Sequence, residues 1–375
     1  MTKAIYAFSG DPITFGHIDI VKRAARVFDE VWVAIGSNPD KKYLFSLSER
    51  EEMAKRSLQD LQNVRVVSFS GTLVDFAYEN SIEIVVKGIR DSKDFDYELA
   101  LHQIGDSQKL GIDTFLLPAS QSKMHISSSA VKSLQIEHGL VQDYVPIFVK
   151  QKLEEKISSQ YFVGITGEIG VGKSYIADNL SQEAKRQGID CYHIELDHIG
   201  HDILGKFREP LYQKIRDEIA VVFGKEVLKQ DGFVDRTILG RLVFDDQDKL
   251  QKLNSIMHKA ILMRLRREMY GKKGVIFLSA ALFAEVSITY LCNNNILLVY
   301  ADEKTQRSRL EKKGYEKDQI QRRLSSQFDF DKKREVLERR IEDDGVGYIW
   351  QVDNSQDREV DFRTLLTEIK KYFGL

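Results

Sequence analysis

Cysteines, prolines and long apolar runs are scarce in this chain of 375 residues, and each scarcity excludes a class of protein. The two cysteines, Cys191 and Cys292, are far apart and form no C-x-x-C pattern, which argues against a disulfide framework or a zinc site. Five prolines and the lack of low-complexity tracts argue against long disordered segments. The longest apolar stretch, Val275 to Val286, is shorter than the ~20 residues that a membrane-spanning helix needs.

An excess of charge of one sign is lacking as well. The formal net charge of -2 gives no electrostatic reason to expect a nucleic-acid or membrane partner. The first residues contain too short an apolar run for a signal peptide, so we expect a cytoplasmic protein. With 42% hydrophobic and 30% charged residues the chain has the composition of a globular protein, and its length suggests two or three domains.

The clearest chemical motif lies near the middle of the chain. Gly167 to Ser174 reads G-E-I-G-V-G-K-S and fits the phosphate-loop pattern G-x-x-x-x-G-K-[S/T] at every fixed position. A β-branched apolar run precedes it and helical spacing follows from Tyr175 to Gln187, which predicts strand, loop and helix in that order. In such a loop, backbone N–H groups surround a polyphosphate, Lys173 neutralises its oxygens and Ser174 binds Mg²⁺. The predicted ATP-binding residues here are Gly167, Glu168, Ile169, Gly170, Val171, Gly172, Lys173, Ser174 and Tyr175.

Strands and helices alternate regularly before this loop, which predicts a doubly wound parallel sheet. Ser48 and Glu51 are predicted to form a capping box for a helix that runs to about Leu61, and a long helix is expected from about Phe95 to Lys109. Ligands of such sheets bind outside the carboxyl ends of the strands, so we expect the chemistry in the strand-end loops. The predicted strands are Ala4–Ala7, Val31–Ile35, Val64–Phe69, Ile82–Val86 and Asp113–Leu117.

The strand-end loops share cations and helix starts that are rich in N–H groups. His17 begins the first helix, and although a lone histidine there is more often a cap, similar features follow three other strands. That recurrence is what a polyanion such as a triphosphate requires. The loops in question are Phe8–His17, Asn38–Lys42, Lys87–Arg90 and Ile126–Ser129.

A series of motifs follows in this half: Asp11-Pro-Ile-Thr-x-Gly-His17, Asn38-Pro-x-Lys-Lys42, Phe45-Ser-Leu-x-Glu-Arg50, Leu73-Val-Asp-Phe-Ala77, Gly88-Ile-Arg90, Asp94-Phe-x-Tyr-Glu98 and Ile126-Ser-Ser-Ser129. Together they resemble the bacterial phosphopantetheine adenylyltransferase family over nearly all of residues 3 to 155. The resemblance implies transfer of an adenylyl group from ATP to 4′-phosphopantetheine. Three features depart from the family pattern: the stretch Phe8-Ser-Gly10, Lys87 in place of arginine, and Gly105 in place of asparagine.

The resemblance also implies roles for individual residues. Positioning and charge stabilisation dominate nucleotidyl transfer, and His17 with Thr14 would steady the α-phosphate. The implied catalytic residues are His17, Thr14, Lys41 and Arg90. The implied ATP-binding residues are Gly16, His17, Arg90, Glu98, Ser127, Ser128 and Ser129. The implied phosphopantetheine-binding residues are Ser9, Lys41, Thr72, Leu73 and Lys87.

Beyond the phosphate loop, Cys191 to Leu196 is predicted to be a strand that ends at Asp197, with core strands at Gly274–Leu278 and Asn295–Tyr300. A carboxylate at that position could accept a hydroxyl proton, hold Mg²⁺ through water, or simply cap a helix. Residues 304 to 340 contain thirteen Lys or Arg against seven Asp or Glu. Such a run is usually a solvated face, but beside a phosphate loop it could form a lid over ATP.

The motifs of this half are Gly167–Ser174, Asp197, Val234-Asp-Arg236, His258, Arg309, Arg323 with Gln327, and Val352-Asp-Asn354. Together they resemble the dephospho-coenzyme A kinase family over roughly residues 161 to 370. The resemblance implies that Asp197 is the catalytic base and that Arg309 and Asn354 contact ATP. It also implies a lid carrying Arg323 and Gln327. Lys259 and the stretch Ala281–Glu285 depart from the family pattern.

The product implied for the first half is the acceptor implied for the second, so the hypothesis is a bifunctional coenzyme A synthase. The predicted fold is a Rossmann-like nucleotidyltransferase domain at 1–157, a linker at 158–160, and a P-loop α/β kinase domain with a helical lid at 161–375. ATP, Mg²⁺, 4′-phosphopantetheine, dephospho-CoA and CoA are the expected ligands, and a homo-oligomer through the N-terminal domain stays open. The alternatives are another nucleotidyltransferase fused to a nucleoside or nucleotide kinase, or one half acting as a degenerate binding module.

Overall fold

A computed structural model describes residues 1–38, 41–243, 246–325 and 327–375. Pro39 and Asp40 of the Asn38–Lys42 motif, and Ser326 of the segment between Arg322 and Gln327, therefore lie outside the described residues. The chain divides into two compact units, Met1–Ile157 and Ser158–Leu375. Gln160, predicted to belong to the linker, is the buried first residue of a strand in the second unit.

The first unit contains a five-stranded parallel sheet with the order β3-β2-β1-β4-β5. One core cluster packs Ile5, Trp32 and Val85 of the sheet against Ala77. The strands are β1 (Lys3–Phe8), β2 (Glu30–Ile35), β3 (Val64–Ser68), β4 (Ile84–Ile89) and β5 (Asp113–Pro118). The helices are α1 (Phe15–Ala24), α2 (Leu47–Leu58), α3 (Leu73–Glu79), α4 (Ser92–Asp106), α5 (Ser128–Ile136) and α6 (Ile147–Leu153), and a π-helical turn follows at Glu154–Ser158.

The second unit also contains a five-stranded parallel sheet, with the order β10-β9-β6-β8-β7. Its core cluster packs β6, β8, β9 and β10 against α7 and α15. The strands are β6 (Gln160–Thr166), β7 (Cys191–Glu195), β8 (Gly274–Ser279), β9 (Asn295–Tyr300) and β10 (Tyr348–Asp353). The helices are α7 (Lys173–Arg186), α8 (Leu196–Gly205), α9 (Pro210–Phe223), α10 (Arg236–Val243), α11 (Gln247–Met269), α12 (Glu303–Lys312), α13 (Lys317–Ser325), α14 (Phe330–Asp344) and α15 (Phe362–Phe373).

The predicted fold class, two parallel α/β domains, is confirmed, but several boundaries were wrong. The capping box of α2 is formed by Ser46 and Glu49, two residues before the predicted pair, because Ser-x-x-Glu occurs twice in this stretch. Strand β4 runs on through Ile89, so Lys87 lies in the strand rather than in the loop after it, paired with Leu116 of β5.

In the second unit, too, the observed ends of strands and helices differ by a few residues from the predicted ones. Strand β7 ends at Glu195, so Asp197 lies in the first turn of α8 instead of at the strand end. Helix α7 begins at Lys173, two residues before the predicted start. The edge strand β10 was not anticipated, although its last residues carry the Val352-Asp-Asn354 motif. Among the described residues, no helix is long and apolar enough to cross a membrane.

Candidate functional sites

Each sheet has a topological switch point, a strand from which the chain builds the sheet first on one side and then on the other. In the first sheet β1 lies between β2 and β4, and in the second β6 lies between β9 and β8. Loops at such switch points leave a crevice that binds nucleotides. The loop after β1 leads to His17, and the loop after β6 is the phosphate loop, so both candidate sites occupy this position in their own unit.

His17 has a fixed orientation at the start of α1. Thr14 is the N-cap residue, and its main-chain N–H donates to Nδ1 of His17 at 3.1 Å, while its hydroxyl oxygen lies 2.9 Å from the same nitrogen. A main-chain N–H can only donate, so Nδ1 accepts and the neutral ring carries its proton on Nε2. Nε2 is therefore the ring atom with a hydrogen-bond donor to offer a ligand.

Phe8 explains how the unusual Phe8-Ser-Gly10 stretch is accommodated. Its ring stacks on the His17 ring with centroids 4.3 Å apart and an interplanar angle of 8°. A Cβ atom at Gly10 would lie 3.3 Å from Phe8 Cε2, so the ring covers the glycine, whose φ of 63° also disfavours other residues. Burial, with a smaller contribution from the charge of Arg90, lowers the pKa of His17 to about 4. The imidazole is thus neutral near pH 7.

Two cations of this site are paired with carboxylates, which the sequence did not reveal. The Arg90 guanidinium donates to Asp94 through Nε at 2.9 Å, and this hydrogen bond raises the pKa of Arg90. Lys87 Nζ lies 3.0 Å from Glu98 Oε2, and both side chains are largely buried. Glu98 was predicted to contact ATP, whereas the structure brings it to Lys87, a predicted phosphopantetheine ligand.

Lys87 and Glu98 line a cavity of about 200 Å³ together with Thr72 and Leu73. The structure thus brings together three of the five predicted phosphopantetheine-binding residues. Gly105 lines the same cavity, and a Cβ atom there would lie 3.2 Å from Val74 Cγ1. Val74 therefore occupies the space next to Gly105 into which the asparagine side chain of the family would project.

The three serines at the start of α5 differ in their surroundings. Ser127 is the N-cap residue and accepts the N–H of Ala130 at 3.1 Å. Ser128 donates its hydroxyl to the carbonyl oxygen of Pro12 at 2.8 Å, while Ser129 is exposed. The first two hydroxyls therefore hold the loop together, and the N–H groups of the helix start remain the general anion-binding feature. Gly16 lies against Ile126, and Lys41 is exposed.

Arg50 and Asp11 hold the loops of this site in place, although the sequence motifs did not assign a role to either residue. Arg50 is 1% exposed and donates to the carbonyl oxygens of Ser9 at 2.5 Å and Gly36 at 2.7 Å, which fastens the ends of β1 and β2 together. Asp11 accepts N–H groups of Leu44 and Phe45 and lies 2.6 Å from Lys132 Nζ. Both residues lie within the family motifs, but their partners are 13 to 121 positions away.

The phosphate loop has the predicted strand, loop and helix order and depends on two glycines. A Cβ atom at Gly167 would lie 2.3 Å from the Val299 carbonyl oxygen, and one at Gly172 would lie 2.4 Å from Asn354 Nδ2. Both have positive φ angles, 150° and 95°. The Lys173 ammonium donates to the carbonyls of Gly167 and Glu168 at 3.0 and 3.1 Å. Burial lowers the pKa of Lys173 to about 8, so most of this group is still protonated near pH 7.

Arg309 and Asn354 hold the outer side of the loop. Arg309 donates to the carbonyl oxygens of Val171 at 2.9 Å and Asn354 at 2.8 Å. Asn354 Nδ2 donates to the Val171 carbonyl oxygen at 2.7 Å. Tyr175 is 54% exposed on α7 and packs edge-on against Phe362. The two predicted ATP-binding residues Arg309 and Asn354 thus meet at the loop although they are 45 positions apart.

Asp197 and Ser174 provide exposed oxygen atoms near the loop. Asp197 Oδ2 accepts the N–H of Ala281 at 3.3 Å, and Ser174 is in the first turn of α7. No group of three or more His, Cys, Asp or Glu side chains in the described ranges could hold a metal ion alone. A hydroxyl and a carboxylate nevertheless fit Mg²⁺, which keeps several waters and takes further oxygens from substrate phosphates.

The basic segment contributes to a second, larger cavity. Gln327 Oε1 accepts the N–H of Ile169 in the phosphate loop at 3.0 Å, and the Arg323 guanidinium lies 4.7 Å from the Tyr315 ring centroid. Arg236 pairs with His201 at 3.0 Å, whereas His258 and Lys259 are exposed on α11. The cavity encloses about 980 Å³. Its cationic lining residues are Lys206, Lys229, Arg236, Arg241, Arg322 and Arg323.

Two parallel α/β units, each with a phosphate-binding feature at its switch point, define a protein with two nucleotide-dependent transferase domains. Residues 9–134 match the cytidylyltransferase-like family model, and residues 161–346 match the model of dephospho-CoA kinase. The phosphopantetheine adenylyltransferase of Clostridium kluyveri is 41% identical over 161 residues, which are 43% of this chain and 98% of the relative. That of Clostridium tetani is 43% identical over 146 residues, 39% of this chain and 91% of the relative.

A solved dephospho-CoA kinase from Campylobacter jejuni is 19% identical with a TM-score of 0.32, and the match covers 57% of this chain and 97% of that one. The chain belongs to the phosphopantetheine adenylyltransferase family through its N-terminal domain, and a dephospho-CoA kinase domain follows in the same chain. It is therefore a bifunctional transferase and kinase.

Proposed function

We propose that the protein catalyses the last two steps of coenzyme A synthesis. In the first step, a phosphate oxygen of 4′-phosphopantetheine attacks the α-phosphorus of ATP, the bond to the bridging oxygen of the β-phosphate breaks, and pyrophosphate leaves. The fixed His17 carries this part of the proposal, because its Nε2–H can donate to the α-phosphate as negative charge develops there. A neutral ring suits a donor that must neither gain nor lose its proton.

The remaining groups of the first site position the two substrates. Lys41 and Arg90 would counter phosphate charge, and the N–H groups at the start of α5 would bind the β- and γ-phosphates. The cavity beside Lys87 would take the pantetheine arm, with Thr72 and Leu73 on its wall. Ser9 would lie beside the acceptor phosphate in a loop braced by Arg50.

In the second step, the 3′-hydroxyl of the dephospho-CoA ribose attacks the γ-phosphorus of ATP and ADP leaves. Asp197 would accept the hydroxyl proton, and Lys173 would turn from the loop carbonyls to the phosphate oxygens. The cationic cavity lined in part by α13 suits an acceptor with a pyrophosphate bridge, because its six Lys and Arg side chains would offset the two negative charges of that bridge. Helix α13 would act as the lid, with Arg323 and Gln327 at its end.

Mg²⁺ would accompany ATP in both steps. In the second site Ser174 would bind it directly and Asp197 through water, so that the ion would offset charge between the β- and γ-phosphates.

The proposal is tested by incubating the purified protein with ATP, Mg²⁺ and 4′-phosphopantetheine and following the products by mass spectrometry. We expect dephospho-CoA to appear first and CoA to follow. A protein that makes pyrophosphate only with nicotinamide mononucleotide or another acceptor would contradict the first assignment. A protein that stops at dephospho-CoA would contradict the second.

We further propose that the chain forms a homo-oligomer through its N-terminal domain. Helix α4 has no buried residue, although it carries several large apolar side chains. Phe95, Leu99 and Ile104 are 40%, 40% and 62% exposed. Phe115 on β5, the last strand of the sheet, is 46% exposed. A helix normally buries one apolar face, and such an apolar area on a monomer is typical of an interaction surface.

Light scattering during size exclusion is expected to give the parent protein a mass that is a multiple of the 43.2 kDa chain. The double variant Phe95→Asp with Leu99→Asp is expected to shift to the monomer, because buried carboxylates would oppose association. The control Val221→Asp changes an apolar residue that is 85% exposed on α9 and should leave the mass unchanged. A monomeric parent would refute the proposed assembly.

A further inference from the structure

One cation of the basic segment 304–340 is completely buried. Lys333 lies in the first turn of α14, and its side chain is 0% exposed. Its ammonium group is 2.5 Å from Glu285 Oε1 and donates to the Ala281 carbonyl oxygen at 2.8 Å. Removing two charges from water is costly, so a buried ion pair is weak evidence for a purely stabilising role. The neighbours of Lys333 indicate a second role for it.

Ala281 connects the ion pair to the proposed catalytic base. Its carbonyl oxygen accepts from Lys333 and, at 3.3 Å, from the hydroxyl of Thr166, the last residue before the phosphate loop. Its N–H donates to Asp197 Oδ2 at 3.3 Å. The side chain of Asp197 is otherwise at an exposed position, where a carboxylate can adopt several rotamers. The orientation of this carboxylate thus depends on how firmly Ala281 is held.

Glu285 connects the same ion pair to the segment that follows the proposed lid. Its Oε1 atom also accepts the N–H of Phe328 at 3.1 Å, and the neighbouring Gln327 accepts the N–H of Ile169 in the phosphate loop. The segment that follows the lid is therefore held at two places. Phe328 and Lys333 bind Glu285, and Gln327 binds the phosphate loop at Ile169.

We propose that Lys333 is a positioning residue of the kinase step, which it serves by holding Ala281 so that its N–H orients Asp197 toward the acceptor hydroxyl. Through Glu285, the same contact couples this orientation to the seating of the lid segment. This inference rests on the proposed kinase function. The Lys333 ammonium is 0% exposed and its hydrogen bonds go to Glu285 and Ala281, so removing it should affect turnover rather than ATP affinity.

The test compares Lys333→Met, the double variant Lys333→Met with Glu285→Leu, and the control Lys332→Met. Methionine keeps the length of the lysine stem, and the double variant replaces the ion pair by apolar side chains that preserve stability. Lys332 is the adjacent, exposed lysine, paired with Glu335 on the surface. Phosphorylation of supplied dephospho-CoA is measured at a temperature at which circular dichroism shows every variant to be folded.

We expect kcat to fall about 10- to 100-fold in both Lys333 variants, since a small misplacement of a catalytic group has effects of this size. The KM for ATP should change less than about twofold, as for a residue that acts only in the transition state. If the double variant is folded and recovers the parent kcat, the ion pair is only structural and the inference is wrong. If the parent itself fails to phosphorylate dephospho-CoA, the proposed function fails instead.

Discussion

Replacing Lys173 by methionine is expected to lower the rate of dephospho-CoA phosphorylation about 10²- to 10³-fold, because this lysine supplies a preorganised positive charge to the transferring phosphoryl group. Its ammonium lies within the loop, and the buried site strengthens its electrostatic effect. Adenylyl transfer takes place in the other unit and should continue at the parent rate. Mass spectrometry of a reaction started with 4′-phosphopantetheine should therefore show dephospho-CoA accumulating.

Lys185→Met is the matched control for this experiment. Lys185 lies on the same helix as Lys173 but in its last turn, where it is exposed. Its loss should leave both reactions unchanged. Formation of CoA by the Lys173 variant at the parent rate would refute the assignment of the phosphate loop to this reaction, whatever the behaviour of the control.

His17→Ala is expected to lower the rate of dephospho-CoA formation about 10²- to 10³-fold, the usual effect of removing one aligned hydrogen-bond donor from a transition state. The reason is the fixed geometry of the ring, since Thr14 occupies Nδ1 and leaves Nε2–H to donate. Pyrophosphate release measures this step directly. Phosphorylation of supplied dephospho-CoA should be unaffected, which shows that the second domain is still folded.

The control for His17 is His125→Ala, which changes an exposed histidine of the same domain that packs edge-on against Tyr144. It should keep the parent rate of pyrophosphate release. A His17 variant that retains the parent rate would show that the transition state is stabilised by other groups, and would remove the observation on which the first assignment depends.

The protonation of His17 also predicts how the adenylyl transfer rate depends on pH. With its pKa lowered to about 4, the ring remains neutral as the pH falls from about 8 to about 5. Only near pH 4 would a proton on Nδ1 displace the Thr14 N–H. The profile of kcat for pyrophosphate release should therefore show no acid limb from His17 near its ordinary pKa of 6.5. An acid limb there that disappears in His17→Asn would contradict the neutral-donor role.

Much of the fold followed from local sequence patterns, while errors arose where two patterns compete. Ser46 with Glu49 and Ser48 with Glu51 are both Ser-x-x-Glu pairs, and either could cap a helix. In the structure Ser46 and Glu49 form the box, and the N–H of Phe45, the residue before the cap, donates to Asp11, which lies 34 positions earlier. A contact of that separation leaves no mark in the local sequence pattern.

In the candidate sites, too, local sequence patterns predicted the residue types, whereas contacts between distant residues could not be predicted. Histidine, lysine and arginine residues at strand ends were predicted to serve polyanions, and the structure brings several of them to the two switch points. Their pairing could not be predicted, because Lys87 meets Glu98 only once β4 and α4 have packed together. The serines of α5 also illustrate this limit, since Ser128 turns to a carbonyl oxygen 116 positions earlier.

By itself the sequence determined the phosphate loop, the alternation of strands and helices in the first unit, and the family motifs, because these depend on residue types at short spacings along one segment. Only the tertiary structure decided which charged side chains are buried and which residues they pair with. Lys332 and Lys333 are adjacent lysines in one basic run, yet the first is a surface cation and the second is buried against Glu285, 48 positions away. Burial is a property of the folded surface, and neighbouring positions on a helix point in different directions.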